Sequence, residues 1–311
     1  MKTFLIRLSS GLVVAALAIS ALLYNQYTFL LLMSIMLLGS LNEYFNITQP
    51  RRSTPSGSFA QGKWFAIVLL YVVYIMAFVL ASPPAEGIPN LDNLLIAGLQ
   101  ALTRFRDSAL ALNVLVPLAV FIFFIAELYS KSDKPFENLG WKTVAVFWIL
   151  VPIILTANIY FKQGSWFILA MFFAIWMYDS FCYIWGSLLG KRKLFERISP
   201  KKTWEGAILG AITTLVAYYF ANKIPYLQML SSVEWVILAL VIIVTATYGD
   251  LAESLLKRNL GIKDSGSIMP GHGGFLDRMD SFFLVVPFVA LTLWMFTQVK
   301  NLMLVVEYLS Q

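Results

Sequence analysis

Long apolar runs separated by short polar segments dominate this chain of 311 residues. A helix needs about 20 consecutive, mostly apolar residues to cross the hydrocarbon core of a bilayer. Runs of that kind predict nine membrane-spanning helices, at 8–24, 28–46, 64–81, 108–130, 142–160, 164–189, 205–221, 233–250 and 281–300. We therefore expect an all-α, polytopic integral membrane protein. The first run follows two basic residues, as in a signal peptide, but no small-residue cleavage site precedes the next run, so we interpret it as a retained helix.

The composition supports this class. Hydrophobic residues make up 59% of the chain and charged residues only 13%, whereas soluble domains have about 45–50% and about 25%. The mean hydropathy of +0.75 therefore excludes a water-covered surface. We attribute the net charge of +6 to basic cytoplasmic loops and expect no nucleic-acid partner.

The basic residues also predict an orientation. With the N-terminus in the cytoplasm, 18 of the 23 lysines and arginines fall on the cytoplasmic side. The exceptions are Arg104, Arg106, Lys162, Lys223 and Lys300. Because cytoplasmic loops carry the excess of basic residues, this orientation is favoured and its opposite is not.

Cysteine and histidine are too rare for several kinds of site. The chain has one cysteine, Cys182, and one histidine, His272. A disulfide framework, a multi-thiolate metal site and a histidine-rich metal site are therefore excluded. Any bound metal must be held mainly by oxygen, which favours Mg²⁺, Mn²⁺ or an alkali cation.

The first informative polar segment is 178–191, within a predicted span. Asp179 is an ionisable residue in an otherwise apolar helix, so it must face a polar cavity or a partner. Two interpretations remain open: Asp179 lines an active-site cavity, or it is a structural residue paired with a hydroxyl or a lysine of another helix. Gly186 and Gly190 form a G-x-x-x-G pattern, which favours close helix packing.

The second polar segment is 198–206. Thr203 is typical of a helix start, with Glu205 in the first turn of that helix. Lys201 and Lys202 then lie in a short loop beside it. They either anchor the loop at the membrane surface or bind an anion such as a phosphate, and the sequence leaves both possibilities open.

The third polar segment, 248–281, carries the strongest pattern. Asp250, Glu253, Ser254 and Lys257 are spaced i, i+3, i+4 and i+7, so in a helix they share one face. That face continues directly from an apolar span. The segment therefore brings two carboxylates, a hydroxyl and an ammonium to the end of a membrane helix.

A glycine-rich stretch and a second acidic group follow. Gly266, Gly271, Gly273 and Gly274 would let backbone N–H groups approach phosphate oxygens closely. Asp277, Arg278 and Asp280 then open the last predicted span. Carboxylates can hold hard cations while lysine and arginine neutralise phosphate oxygens, so the set fits phosphoryl chemistry. Neither a Walker-type motif nor a G-x-G-x-x-G motif is present.

These residues resemble the signature of the phosphatidate cytidylyltransferase (CDP-diacylglycerol synthase) family: S-x-L-K-R, K-D-x-G, P-G-H-G-G and L-D-R-x-D. In this chain the motifs begin at Ser254, Lys263, Pro270 and Leu276. The upstream S-P-K-K-T-x-E-G and D-S-x-x-Y-x-x-G-x-x-x-G-K runs are similar to the family as well. The specific resemblance spans 178–281, while the first half matches only as apolar spans.

The resemblance implies the reaction CTP + phosphatidate → CDP-diacylglycerol + pyrophosphate. It also implies a helical fold with a cytoplasm-facing polar funnel, a multi-pass location in the cell's inner (plasma) membrane, and a homodimer. We expect N-terminal membrane helices over 1–175 and helices carrying the site over 176–311, as one membrane-embedded unit.

The resemblance further implies residue roles. Asp250 and Asp277 match the carboxylates that bind Mg²⁺, with K⁺ as the second cation of the pair. Lys257 and Arg258 match catalytic positions, and Ser254 matches a substrate-binding position. Further substrate-binding positions match Asp179, Lys201, Lys202, Lys263, Asp264, His272, Arg278 and Asp280.

Three other functions are compatible with parts of the pattern. A CTP-dependent lipid kinase would transfer the γ-phosphoryl group and release CDP instead of pyrophosphate. A transporter could line its pathway with Asp179 and the glycine motifs, but internal repeats are not evident in the sequence. A structural lipid-binding subunit would not require the clustered carboxylates.

Overall fold

The computed structural model describes residues 15–48, 56–82, 111–130, 132–266 and 273–309. Regular structure in these ranges is almost entirely helical. The helices are α1 (Ala15–Tyr24), α2 (Gln26–Thr48), α3 (Ser56–Ala81), α4 (Val116–Leu128), α5 (Pro135–Ala145), α6 (Val151–Gln163), α7 (Ser165–Leu189), α8 (Trp204–Tyr219), α9 (Ser232–Asn259) and α10 (Leu276–Leu309). Short π-helical turns, Ala111–Leu115 and Val146–Leu150, precede α4 and α6.

Seven helical segments among the described residues are long and apolar enough to cross a membrane. Each of them overlaps one of the nine predicted spans, so the all-α, multi-pass membrane fold is confirmed. The other two predictions, 8–24 and 108–130, overlap the shorter apolar helices Ala15–Tyr24 and Leu112–Leu128. The exact count of nine is therefore not confirmed, and residues 8–14 and 108–110 lie outside the described ranges.

The chain divides into two compact units, and each of them combines two separate stretches of the sequence. Unit one comprises Met1–Lys162 and Asp264–Arg278, and unit two comprises Gln163–Lys263 and Met279–Gln311. The predicted boundary after residue 175 marks where the site-carrying helices begin in the sequence. It stays a prediction.

The core of unit one is built on one face of α2. Phe29, Met33, Leu37 and Leu41 recur every fourth residue and are fully or almost fully buried. Such spacing places them one above the other along the helix. The Phe29 ring stacks on Tyr160 with ring centroids 4.0 Å apart. This packing fixes α2 among its neighbours, and its last two turns also carry Asn42, Glu43 and Asn46.

The core of unit two depends on aromatic residues and on glycines. Trp235 of α9 stacks on Phe167 of α7, with centroids 5.6 Å apart. Helices α7 and α8 touch through backbone: a Cβ added at Gly206 would lie 2.9 Å from the Cα of Gly186. The expected packing role of Gly186 is confirmed by this contact. At Gly210, a Cβ would lie 2.8 Å from the sulfur of Cys182.

The structure corrects the prediction for Lys201 and Lys202. They lie in the second strand of a β-hairpin, β1 (Lys193–Phe195) and β2 (Ser199–Thr203), and not in a loop. Strands of three and five residues are too short to show a period-two pattern, which explains why the sequence did not predict the hairpin. The helix start is confirmed, since the Thr203 side chain accepts a hydrogen bond from the Gly206 N–H at 3.3 Å.

Candidate active site

A single lysine organises the acidic residues of unit two. Lys202 of β2 forms an ion pair with Asp250 of α9, and the two side chains are 26% and 27% exposed. Burial, the largest influence, lowers the pKa of Lys202. The charge and hydrogen bond of Asp250, with the charges of Asp179 and Asp280, outweigh it and raise the pKa above its ordinary value. Lys202 is therefore a protonated centre among three carboxylates.

The polar face of α9 extends from this centre. The Ser254 hydroxyl donates to Asp250 Oδ1 at 3.2 Å. One turn further, Lys257 pairs with the fully buried Glu253 at 3.1 Å. The predicted helical spacing is thus confirmed as two i, i+4 pairs on one helix. Both basic and acidic groups stand at the end of the span, as phosphate chemistry requires.

Backbone contacts hold the strand that carries Lys202. The Glu205 carboxylate, in the first turn of α8, accepts the backbone N–H groups of Lys191 at 3.0 Å and Arg192 at 3.1 Å. The backbone N–H of Trp204 also donates to the Arg192 carbonyl at 3.0 Å. A carboxylate at a helix N-terminus is electrostatically favourable. The position of Glu205 is therefore stabilised both by these hydrogen bonds and by the helix dipole. The hairpin is therefore fastened at its open end, just before β1 begins and just after β2 ends.

A close helix approach sets the position of Asp280. A Cβ at Gly249 of α9 would lie 2.9 Å from the Asp280 carbonyl oxygen, so only glycine permits this spacing. The Ser281 hydroxyl donates to the Ala246 carbonyl at 3.2 Å, and the Ser281 N–H donates to Asp280 Oδ1 at 2.6 Å. The neighbour of Gly249 in the chain is Asp250, so this packing brings both carboxylates toward Lys202.

Unit one holds a different arrangement of acidic residues. Asp277 Oδ2 accepts the backbone N–H groups of Ser265 and Gly274, each at 2.9 Å. Glu43 of α2, only 3% exposed, accepts the Ser265 hydroxyl at 3.1 Å and the Leu276 N–H at 2.9 Å through Oε2. Backbone and hydroxyl donors therefore hold both carboxylates in place.

A comparison with known proteins decides the family. The model of the cytidylyltransferase family matches residues 5–296, which is nearly the whole chain. The chain belongs to this family. The resemblance drawn from the residues is thereby confirmed.

Curated relatives agree with the family assignment. The phosphatidate cytidylyltransferase of Rickettsia bellii is 34% identical over 215 residues, which cover 64% of this chain and 88% of the relative. That of Bacillus subtilis is 33% identical over 222 residues, covering 68% and 80%. That of Staphylococcus saprophyticus is 42% identical over 138 residues, covering 42% of this chain and 50% of the relative.

The predicted site residues of this cytidylyltransferase family member fall into groups. Asp179, Lys202, Asp250 and Asp280 are brought together, and Ser254 adjoins them. The interaction of Lys202 with three carboxylates favours a site role for it over simple membrane anchoring. The side chains of Lys201, Arg258, Lys263, Asp264 and Arg278 are exposed. His272 lies outside the described residues. The chemical role of each residue stays a prediction.

Sequence reasoning missed Glu43, Ser265 and the anchoring role of Glu205. The signal for Glu43 was available: Asn42, Glu43 and Asn46 are polar positions inside an apolar run. A carboxylate inside a span marks function or pairing. The signal was overlooked because the first half of the chain carries none of the family motifs.

The oxygen donors of the candidate site fit a hard cation such as Mg²⁺. Among the described residues, no group of three or more His, Cys, Asp or Glu is arranged to hold a metal ion by itself. Mg²⁺ commonly takes one or two carboxylates and completes its shell with water and substrate phosphates. Asp250, which already binds a cationic group in Lys202, fits a cation that arrives with a triphosphate.

Proposed function

We propose that this protein is a CTP:phosphatidate cytidylyltransferase, a nucleotidyltransferase that forms CDP-diacylglycerol and pyrophosphate in phospholipid biosynthesis. Its substrates are CTP and phosphatidate. The relatives that carry this name match it over most of their length in two of the three cases above. The proposal transfers their printed activity to this chain.

One observation carries the proposal: Lys202 lies among Asp179, Asp250 and Asp280 at the end of an apolar helix. A partly buried ion pair alone is weak support for stability, because desolvation offsets much of its attraction. A set of one ammonium and three carboxylates there is better explained by exchange with a charged substrate. CTP and phosphatidate bring negatively charged phosphates, together with the cations that accompany them, to such a place.

The proposed reaction requires little proton transfer by the protein. A phosphatidate phosphate oxygen attacks the α-phosphorus of CTP, the bond between the α- and β-phosphoryl groups breaks, and pyrophosphate leaves with that electron pair. A phosphate nucleophile is already ionised near neutral pH, so a strong general base is unnecessary. Lys257, Arg258 and Lys202 bind and orient phosphate oxygens and stabilise their charge.

The cofactor and setting are part of the same proposal. Asp250 and Asp277 would hold Mg²⁺, with K⁺ as a second cation, and the metal would neutralise charge on the triphosphate when bound. We place the protein in the inner (plasma) membrane with its site facing the cytoplasm, because the basic residues favour that side. We also propose a homodimer, as the family resemblance implies.

The decisive experiment follows the α-phosphorus. Purified protein is incubated with phosphatidate, Mg²⁺ and CTP labelled at the α-phosphate, and the lipid fraction is counted. Label in the lipid together with released pyrophosphate is the expected result. Label that stays in water-soluble CDP, with phosphate gained by the lipid from the γ-position, would establish a lipid kinase instead.

A further inference from the structure

Glu43 is a buried carboxylate that joins two separate pieces of chain within unit one. Its Oε2 accepts the Ser265 hydroxyl at 3.1 Å and the Leu276 N–H at 2.9 Å. These partners lie on either side of the 267–272 stretch in the sequence, more than 220 residues from Glu43 in both cases. A carboxylate this buried needs specific partners, since desolvation disfavours its charge.

Ser265 connects Glu43 with Asp277. The Ser265 hydroxyl donates to Glu43, while its N–H donates to Asp277 Oδ2 at 2.9 Å. Gly274 donates its N–H to the same Asp277 oxygen at 2.9 Å. One residue, Ser265, therefore links Glu43 to the carboxylate that the family motif marks as a metal ligand.

Two glycines leave room for the Glu43 carboxylate. A Cβ at Gly266 would lie 2.5 Å from Glu43 Oε1, and a Cβ at Gly274 would lie 2.5 Å from Glu43 Cδ. Neither glycine has a positive φ, so alanine would be conformationally acceptable at both. The Glu43 carboxylate itself excludes a side chain at these positions. The glycines are therefore needed to make room for Glu43, and not because of backbone strain.

We propose that Glu43 is a positioning residue for the reaction: it holds Ser265 and Leu276 in place and thereby orients Asp277. The role rests on the proposed function. It assigns a part of the site to α2, in the half of the chain where the sequence carries no family motif. In this role Glu43 acts as a hydrogen-bond acceptor through Oε2.

The acceptor role predicts an order of activities. Glu43→Ala removes the acceptor for two donors, so kcat/KM falls about 100-fold, the effect of a small misplacement of a reacting group. Glu43→Gln keeps a carbonyl oxygen at the same reach, and because a neutral acceptor is weaker, the loss stays within about tenfold. The apparent Mg²⁺ requirement rises in the alanine variant and changes little in the glutamine variant.

The matched control is Glu127→Gln. Glu127 is also a buried carboxylate of unit one, but its partner is Lys142 at 2.5 Å. We expect a lower melting temperature in detergent with kcat/KM changed by no more than about threefold, because Glu127 pairs with Lys142 and is not among the acceptors that hold Ser265 and Leu276. Wild-type activity in folded Glu43→Ala would overturn the proposal. A loss in Glu43→Gln equal to that in alanine, at an unchanged melting temperature, would overturn it too, since it would place the charge in the chemistry.

A second test needs no enzymatic activity. Gly274→Ala and Gly266→Ala are each measured by thermal unfolding in the wild-type and in the Glu43→Asp background, with Gly140→Ala as the control glycine, whose added Cβ would meet nothing within 4 Å. The shorter aspartate withdraws the carboxylate, so the melting temperature drops less there than with Glu43. Equal drops in both backgrounds would refute the contact. If wild-type protein made no CDP-diacylglycerol while the backgrounds differed, the proposed reaction would fail and the Glu43 contact would stand.

Discussion

Two sets of acidic residues in this molecule are satisfied in different ways. In unit two, Asp179, Asp250 and Asp280 face the flexible ammonium of Lys202. In unit one, Glu43 and Asp277 accept backbone N–H groups and the hydroxyl of Ser265. The first set shares one ammonium on a flexible side chain, and the second is held by donors that the fold fixes.

This difference separates carboxylates whose partner can be exchanged for a substrate from carboxylates that stay in a fixed position. A lysine on a four-carbon stem can leave a carboxylate when a substrate brings its own cations and phosphates. Backbone N–H groups cannot leave without local unfolding, and an orphaned buried donor is strongly unfavourable. We therefore interpret the Lys202 set as the part that substrates reorganise, and the Glu43–Asp277 set as the part that holds still. Substitutions that remove charge but keep shape can test this interpretation.

The largest effect is expected from neutralising the two predicted metal ligands. Asp250→Asn and Asp277→Asn should each lower kcat by at least about 10³-fold, or about 4 kcal/mol of transition-state stabilisation. The amide oxygen introduced by Asp277→Asn can still accept the N–H groups of Ser265 and Gly274, so that variant should keep its melting temperature. The measurement is transfer of α-labelled phosphate to lipid, with thermal unfolding in parallel.

The control for this pair is Asp133→Asn, which neutralises an exposed aspartate of unit one. It should keep wild-type turnover. Near-wild-type activity in Asp277→Asn would mean that Asp277 serves only its two backbone donors. Of the two predicted metal ligands, only Asp250 would then keep a role in turnover.

Removing the exchangeable cation should have the next largest effect. Lys202→Met leaves three carboxylates without their shared ammonium and removes a proposed phosphate contact, so kcat/KM should fall about 100-fold. Lys202→Arg keeps the charge with a different geometry and should recover part of the loss. Lys193→Met, in the paired strand β1 and exposed, is the control. Full activity in Lys202→Met would show that the ion pair has no part in turnover.

The same lysine predicts a pH range. The pKa of Lys202 is raised in the folded protein. Its contribution to stability is therefore complete below the unfolded-state value of about 10.4 and is lost as pH rises through the higher folded value. The difference in melting temperature between wild type and Lys202→Met should therefore shrink as pH rises above about 10.4.

Sequence reasoning found unit two's site better than unit one's for a physical reason. Asp250, Ser254 and Lys257 are close in the chain, and helical spacing alone places them on one helix. Lys202 and Asp179 were identified as polar positions, but their shared contact depends on how helices and a short hairpin pack. Glu43 and Ser265 are 222 residues apart, and no local pattern predicts a hydrogen bond over that separation. The membrane spans followed from apolar length, while two shorter helices left their count open.

A smaller effect should follow from loosening the hairpin without touching the acidic residues around Lys202. Glu205→Ala removes the acceptor of the Lys191 and Arg192 N–H groups, so β2 should move and kcat/KM should fall about tenfold. The loss should be reduced by Glu205→Gln, which keeps one acceptor. Glu196→Ala changes an exposed glutamate of the same hairpin turn and should leave the kinetics alone. Equal kinetics in Glu205→Ala and Glu196→Ala would mean that the backbone tie does not position Lys202.

The smallest effect should come from Ser254→Ala. Its hydroxyl donates to Asp250 Oδ1 at 3.2 Å, which is longer than the usual O–H···O hydrogen bond, so the bond is weak and kcat/KM should fall by about tenfold at most. Because Ser254 and Lys202 both hold Asp250, the loss should be larger when Lys202 is already replaced by methionine. A double-mutant cycle measures that coupling. Strict additivity of the two losses would indicate that Ser254 acts on substrate separately, and that Lys202 alone governs the carboxylate of Asp250.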